Sequence, residues 1–211
     1  MLQCVLNWLT RADPPAHADA IFVLAGLKTR KVFAIQLLEQ GVAPRVLFSV
    51  SRFEIRRFPE LGLPQTIDLL QMSRSIPPPQ RHFFVLFENK QFTVQLISVR
   101  ALGTLREIDA LADWLNEHSE ISSLLVVSSA PHLRRLRICC RALLPRSVQA
   151  NFVPSPQEKV TSIQQNEHSD VSNRKAILSE FFKVVCYSVF LPLWKMVRPW
   201  RSKNISLLAL I

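Results

Sequence analysis

The sequence predicts an α/β protein of Rossmann-like type: a three-layer sandwich with a mostly parallel sheet, an inserted hairpin and a C-terminal helix. Two observations carry this. Short apolar runs bounded by polar residues alternate with segments of helical periodicity. The first strand, helix and strand fit within about thirty residues, the size of a βαβ unit with a right-handed crossover.

AIFVLA, residues 20 to 25, is apolar throughout, as a strand covered on both faces must be. In the helix that follows, Val32, Ile35 and Leu38, with Phe33 and Leu37, form the expected inward stripe, and Gly41 ends it. Pro44 introduces the second strand, RVLFSV. Residues 52 to 81 are less regular; Pro64 is expected to open a short helix carrying Ile67 and Leu70. FFVLF and QFTVQLI, separated by Glu88, Asn89 and Lys90, read as a hairpin. Thr104 to His118 is the clearest helix, with Leu105, Ile108, Ala112 and Leu115 buried. Strand 123–128, helix 131–144 and strand 148–153 continue the alternation, and a polar connector leads to a last helix from about residue 173. The expected organisation is an N-terminal lead (1–17), the α/β domain (18–190) and a basic, apolar tail (191–211).

The net charge of +10 suggests a polyanion partner until it is divided along the chain. Residues 174–211 hold seven basic residues against Glu180 alone, so the excess lies in the tail. A nucleic-acid binder carries its basic face on the body, so no nucleic acid is expected. The four cysteines form no spaced framework and no zinc pattern, which reads as free thiols in a reducing compartment. The N-terminus lacks the basic region of a signal peptide, so a cytoplasmic location is expected.

In open α/β sheets, ligands sit outside the carboxyl ends of the strands. Ser128 and Ser129 close one strand there, and Pro131 and His132 begin the next helix, where free N–H groups and the helix dipole favour an anion. A capped helix start with an incidental histidine explains the same residues equally well. Arg134, Arg137 and Arg141 share a helical face suited to solvent, while Arg135 points elsewhere. Thr104 and Glu107 fit a capping box, which outweighs a catalytic role for Glu107 alone. Asp19 is as plausibly a solvated flank as an acid. With four glycines in all and no GxGxxG, Walker loop or GxSxG, dinucleotide, ATPase and hydrolase assignments are weak.

These positions together resemble the YdcF-like (SanA/ElyC) family of bacterial proteins. Ala18-Asp19-Ala20-Ile21-Phe22-Val23-Leu24-Ala25-Gly26 is similar to that family's first strand, A-D-A-I-V-V-L-G-G. Arg30 and Gly41-Val42-Ala43-Pro44 match its arginine and G-x-A-P turn. Ser49 stands in its S-G-G, and Thr104 and Glu107 in its T-x-x-E. Ser128-Ser129-Ala130-Pro131-His132-Leu133-Arg134-Arg135-Leu136 parallels T-S-A-Y-H-x-x-R-A. The match covers most of residues 18–154.

The resemblance implies a Rossmann-like fold and a role in envelope or surface-polysaccharide homeostasis. It also implies an anionic or nucleotide-like ligand, a phosphate-bearing molecule or S-adenosylmethionine. Gly26, Arg30, Ser49, Thr104, Ser129, His132 and Arg135 would hold that ligand, and Glu107 and His132 are the acid/base candidates. A rival expectation is a non-catalytic, membrane-associated accessory protein with a vestigial cleft. The apolar run from Val184 to Trp194 is expected to be too short to span a bilayer. Phe181, Val185 and Val189 are expected to face the core. Residues 191–211, interrupted by Pro192 and Pro199, are expected to touch the inner face of the plasma membrane.

Overall fold

The computed structural model describes residues 2–61, 68–89, 91–97, 103–156, 168–197 and 206–208. Its sheet has the order β6-β5-β1-β2-β3-β4-β7, built from β1 (Ala20–Val23), β2 (Arg45–Ser51), β3 (His82–Glu88), β4 (Gln91–Leu96), β5 (Ser123–Ser128), β6 (Gln149–Pro154) and β7 (Ser206–Leu208). The pairs β1–β2, β1–β5 and β5–β6 are parallel, and the hairpin β3–β4 continues the sheet antiparallel to β2. The hairpin turns at Asn89, whose φ of 51° is one that asparagine tolerates well.

Both sheet faces are covered, which is why the central strands have no polar alternation. Phe22, Leu47, Phe84, Leu124 and Val126 point to one face; Ile21, Val23, Phe48, Val85 and Val127 point to the other. The first face carries α4 (Gly103–Glu117) and α5 (Leu133–Leu143), and α5 turns Cys139 and Cys140 into that core. The second face carries α2 (Lys28–Glu39). A four-residue α3 (Leu69–Met72) follows the irregular stretch; the helix start expected at Pro64 and Ile67 lies outside the described residues.

Three elements depart from expectation. In α2, Leu37 is buried and Phe33, Ile35 and Leu38 pack against the second core as expected, but Val32 is exposed and Arg30, Lys31 and Ala34 join the buried face. Two cations occupy the inner stripe because they serve the strand ends: Lys31 pairs with Glu54, and Arg30 bonds across to residue 129. In the lead, α1 (Leu2–Leu9) folds onto α5, with Leu9 fully buried and the Asp13 N–H donating to the Phe152 carbonyl at 2.9 Å.

The third departure is α6 (His168–Val197), which runs unbroken through Pro192. It packs on α5, α1 and the turn at residues 130–132. Its inward residues are Glu180, Val184 and Leu191, with Tyr187 and Trp194 partly buried, while Phe181, Val185 and Val189 are exposed. The expected core face was rotated because Glu180, the single acid of residues 174–211, is drawn to cations beneath the helix. Ile177–Trp194 has a mean hydropathy of 1.5 over 18 residues, so by length and composition the helix could cross a membrane; the eleven-residue reading was too short. Within the tail, Ser206–Leu208 pairs with β4 and so joins the sheet.

Candidate anion-binding site

The strand order reverses at β1: the chain passes from β1 to β2 on one side, and later adds β5 and β6 on the other. At such a switch point the loops leaving two neighbouring strands part and leave a crevice. A polar cavity of about 140 Å³ lies there, between Leu24 and Ala25 after β1 and Ser128 at the end of β5. Arg30, Thr104, Glu107, His132 and Arg135 supply its other polar walls. At ~30 Å³ per water it has room for a few waters or a small anionic group. It is well below the several hundred cubic ångströms of a site that encloses a cofactor.

Arg30 is fixed before any ligand arrives. Its Nε and Nη2 donate to the Ser129 hydroxyl at 3.0 and 2.8 Å, and Nη1 donates to the Ala25 carbonyl at 2.9 Å. Gly26 permits this: its φ is +137°, and a β-carbon there would lie 2.9 Å from Arg30 Nη1. Ser129 and Gly26 thus act on the cavity through Arg30.

Glu107 is not the capping residue expected from its spacing. Its Oε1 accepts from the Ala25 N–H at 3.0 Å and lies 2.5 Å from the Ser49 hydroxyl, so the side chain crosses to the strand ends. Thr104 sits inside the first turn of α4, not before it, and interacts with the Tyr187 phenol. Burial raises the Glu107 carboxyl above its ordinary range, outweighing the bonds from Ser49 and Ala25. Ser49 also lies 2.6 Å from His82 Nε2, and burial holds that imidazole down to about 4. The order is therefore carboxyl, hydroxyl, imidazole. In a nucleophilic triad the histidine stands between the other two; here the serine is in the middle and can only pass a proton between Glu107 and His82.

On the opposite wall, His132 Nδ1 and Arg135 Nη1 each lie 3.1 Å from Glu180 Oε2 of α6. Burial alone would raise the Glu180 carboxyl, but hydrogen bonds from His132 and Lys183 and the charge of Arg135 leave it at about 2. The Ser128 hydroxyl and Arg135 Nε are buried with no hydrogen-bond partner among the described residues. Buried polar atoms left unpaired are costly, and both belong to cavity-lining residues.

Arg30, Thr104, His132, Arg135 and Glu107 therefore share one cavity, with Ser49, Gly26 and Ser129 behind it. Two other arginines of α5 serve the lead, while Arg141 is exposed. Arg137 pairs with Asp13 at 3.0 Å, and Arg134 lies over the Trp8 ring at 4.3 Å. Asp19 stands outside the cavity, binding the N–H groups of Ser122 and Ser123, which hold it at about 2. The sequence did not single out His82 or Glu180 as functional, and it placed Ser128 at the strand end without assigning it a ligand contact. For Glu180 the available signal was one acid in an otherwise basic and apolar segment. Comparison with protein-family models, curated proteins and solved structures finds no match for this chain.

Proposed function

We propose that this chain is a YdcF-like protein of bacterial envelope or surface-polysaccharide biogenesis, acting at the inner face of the plasma membrane. In this reading its strand-end cavity binds a small anionic group, such as the phosphate of a larger molecule whose remainder stays outside. The observation that carries the binding is the pair of buried, unpartnered donors, Ser128 Oγ and Arg135 Nε, beside the prefixed guanidinium of Arg30. A phosphate offers the acceptor oxygens that these donors lack. The small volume favours a phosphate head over enclosed S-adenosylmethionine.

In the same reading Glu107 serves as a hydrogen-bond donor. Burial favours its protonated carboxyl, which can donate to a bound anion. Ser49, itself 2.6 Å from His82 Nε2, fixes Glu107 Oε1 from behind. A thermal-shift and calorimetric series with inorganic phosphate, pyrophosphate, a polyprenyl phosphate and S-adenosylmethionine tests the proposal. Phosphate should raise the Tm of the wild type and not of Arg135→Gln or Ser128→Ala. No shift with any of these anions would refute it.

One observation favours a second reading, the accessory protein with a vestigial cleft. Glu180 already supplies an anion to His132 and Arg135. Absence of phosphate binding in both wild type and Glu180→Gln would support that rival.

A further inference from the structure

Helix α6 is apolar on both sides. Val184, Leu191 and the partly buried Trp194 face inward with Glu180 and Tyr187, while Leu178, Phe181, Phe182, Val185, Val189 and Leu193 recur at three- and four-residue spacing on the outside. Phe182 is 68% exposed, Val189 62% and Phe190 59%. At 1.5 Å per residue the stripe is roughly 22 Å long. Trp8 of α1 extends it, its ring centroid 6.1 Å from that of Phe181. A patch of this extent marks an interaction site.

We propose that this face, with Trp8, lies in the headgroup layer of an anionic bilayer, the helix axis parallel to the surface. Charge selects the occupant. The segment from residue 174 onward holds seven basic residues and one acid, and that acid is turned inward. A second copy packed on the same face would bring two such segments together, whereas anionic lipid neutralises them. Arg134 over the Trp8 ring sets a cation beside an aromatic at the rim, the pairing suited to headgroups.

Packing selects the orientation. Although Ile177–Trp194 has the composition of a crossing helix, its inner side is bound along its length. Glu180 holds Arg135 and His132, Tyr187 interacts with Thr104 and Leu105, and Arg106 lies 4.2 Å from the centre of the Trp194 ring. Spanning would require breaking all three contacts and moving the charge of Glu180 into hydrocarbon.

This inference specifies the surface behind the membrane location proposed above and is independent of the cavity. The test is flotation of the full chain with phosphatidylcholine vesicles, with and without phosphatidylglycerol, at low and high salt. Beside it runs the variant Phe182→Ser/Val189→Ser/Phe190→Ser, shown by circular dichroism and Tm to be folded; the single Phe182→Ser replaces it if the triple variant does not fold. Wild type should float with anionic vesicles, less so at high salt, and the variant's partitioning should fall by roughly tenfold or more. Brominated acyl chains should quench fluorescence that is missing in Trp8→Phe. A variant floating like wild type overturns this inference alone. Wild type that does not float overturns the membrane location with it and leaves the cavity to its phosphate titration. Resistance to alkaline carbonate, indicating a spanning helix, or a dimer that the substitutions dissolve, overturns it as well.

Discussion

Arg135 and Glu180 meet at 3.1 Å against the wall of the cavity, so the chain brings its own carboxylate to the cation that a ligand would use. The two residues come from different helices, α5 and α6. Their contact makes the C-terminal helix part of the candidate site.

Glu180→Gln should therefore strengthen phosphate binding. Removing the competing charge leaves Arg135 and His132 free to bind an external anion, a gain of about 1.4 kcal/mol, or roughly tenfold. Titration calorimetry reads this directly. An unchanged affinity would make the Glu180 contact purely structural.

Acid should weaken the fold in two stages. His82 titrates at about 4 in the folded chain against 6.5 ordinarily, so as the pH falls from 6.5 the unfolded chain takes up the proton first and stability drops until about 4. Glu180 is depressed from 4.5 to about 2; its contribution is present above 4.5 and is lost as the pH falls toward 2. Glu107 acts oppositely, since its raised pKa gives stability that is present below 4.5 and lost as the pH rises. Denaturation midpoints across this range should show His82→Gln without the first drop and Glu180→Gln with a smaller second one, the remainder coming from Asp19.

Gly26→Ala should cost about 1–3 kcal/mol of stability, because it places a side chain in a backbone region that side chains rarely adopt. It should also weaken phosphate binding in the folded chain, since the new β-carbon pushes Arg30 off the Ala25 carbonyl. Gly41→Ala is the control: its φ is +73°, but the space around it is open and it lies away from the cavity. Denaturation should show a loss for both, and calorimetry a binding loss for Gly26→Ala alone.

Phe84→Ala should destabilise by about 3–5 kcal/mol. Its ring is fully buried and meets Phe22 edge to face at 5.6 Å. Phe182→Ala, on the exposed face of α6, should stay within about 0.5 kcal/mol in the absence of membrane. Chemical denaturation of the two variants separates core from surface aromatics.

Much of the sheet was legible because β1 and β5 are buried on both faces, which forces AIFV and LLVV to be apolar throughout. The hairpin was legible from Asn89 between two apolar runs. Periodicity failed in α6, which turns Glu180 inward beside the cavity and leaves Phe181, Val185 and Val189 outside; in α2 it held for Leu37 and missed only that Arg30 and Lys31 join the buried face. Glu107 was misread because a carboxylate three residues after Thr104 satisfies the capping pattern whether it turns back to its own helix or across to the Ala25 N–H. His82 was not singled out because its partner Ser49 lies 33 residues away, and only the antiparallel pairing of β3 with β2 brings the two together. His132 was found because a cavity at a strand-order reversal must be lined by the residues that follow the strands, whereas Arg30, Thr104 and Arg135 entered only through the family resemblance.

The two inward cysteines of α5 give the molecule a built-in timer. Burial pushes the Cys139 thiol up to about 12 and Cys140 well above its ordinary value, whereas Cys4 on α1 is exposed. Thiolate, not thiol, reacts with alkylating reagents. Cys4 is therefore modified at once, while Cys139 and Cys140 wait for α5 to lift from the sheet. The slow phase of alkylation then measures how often that helix opens, without any label having been introduced.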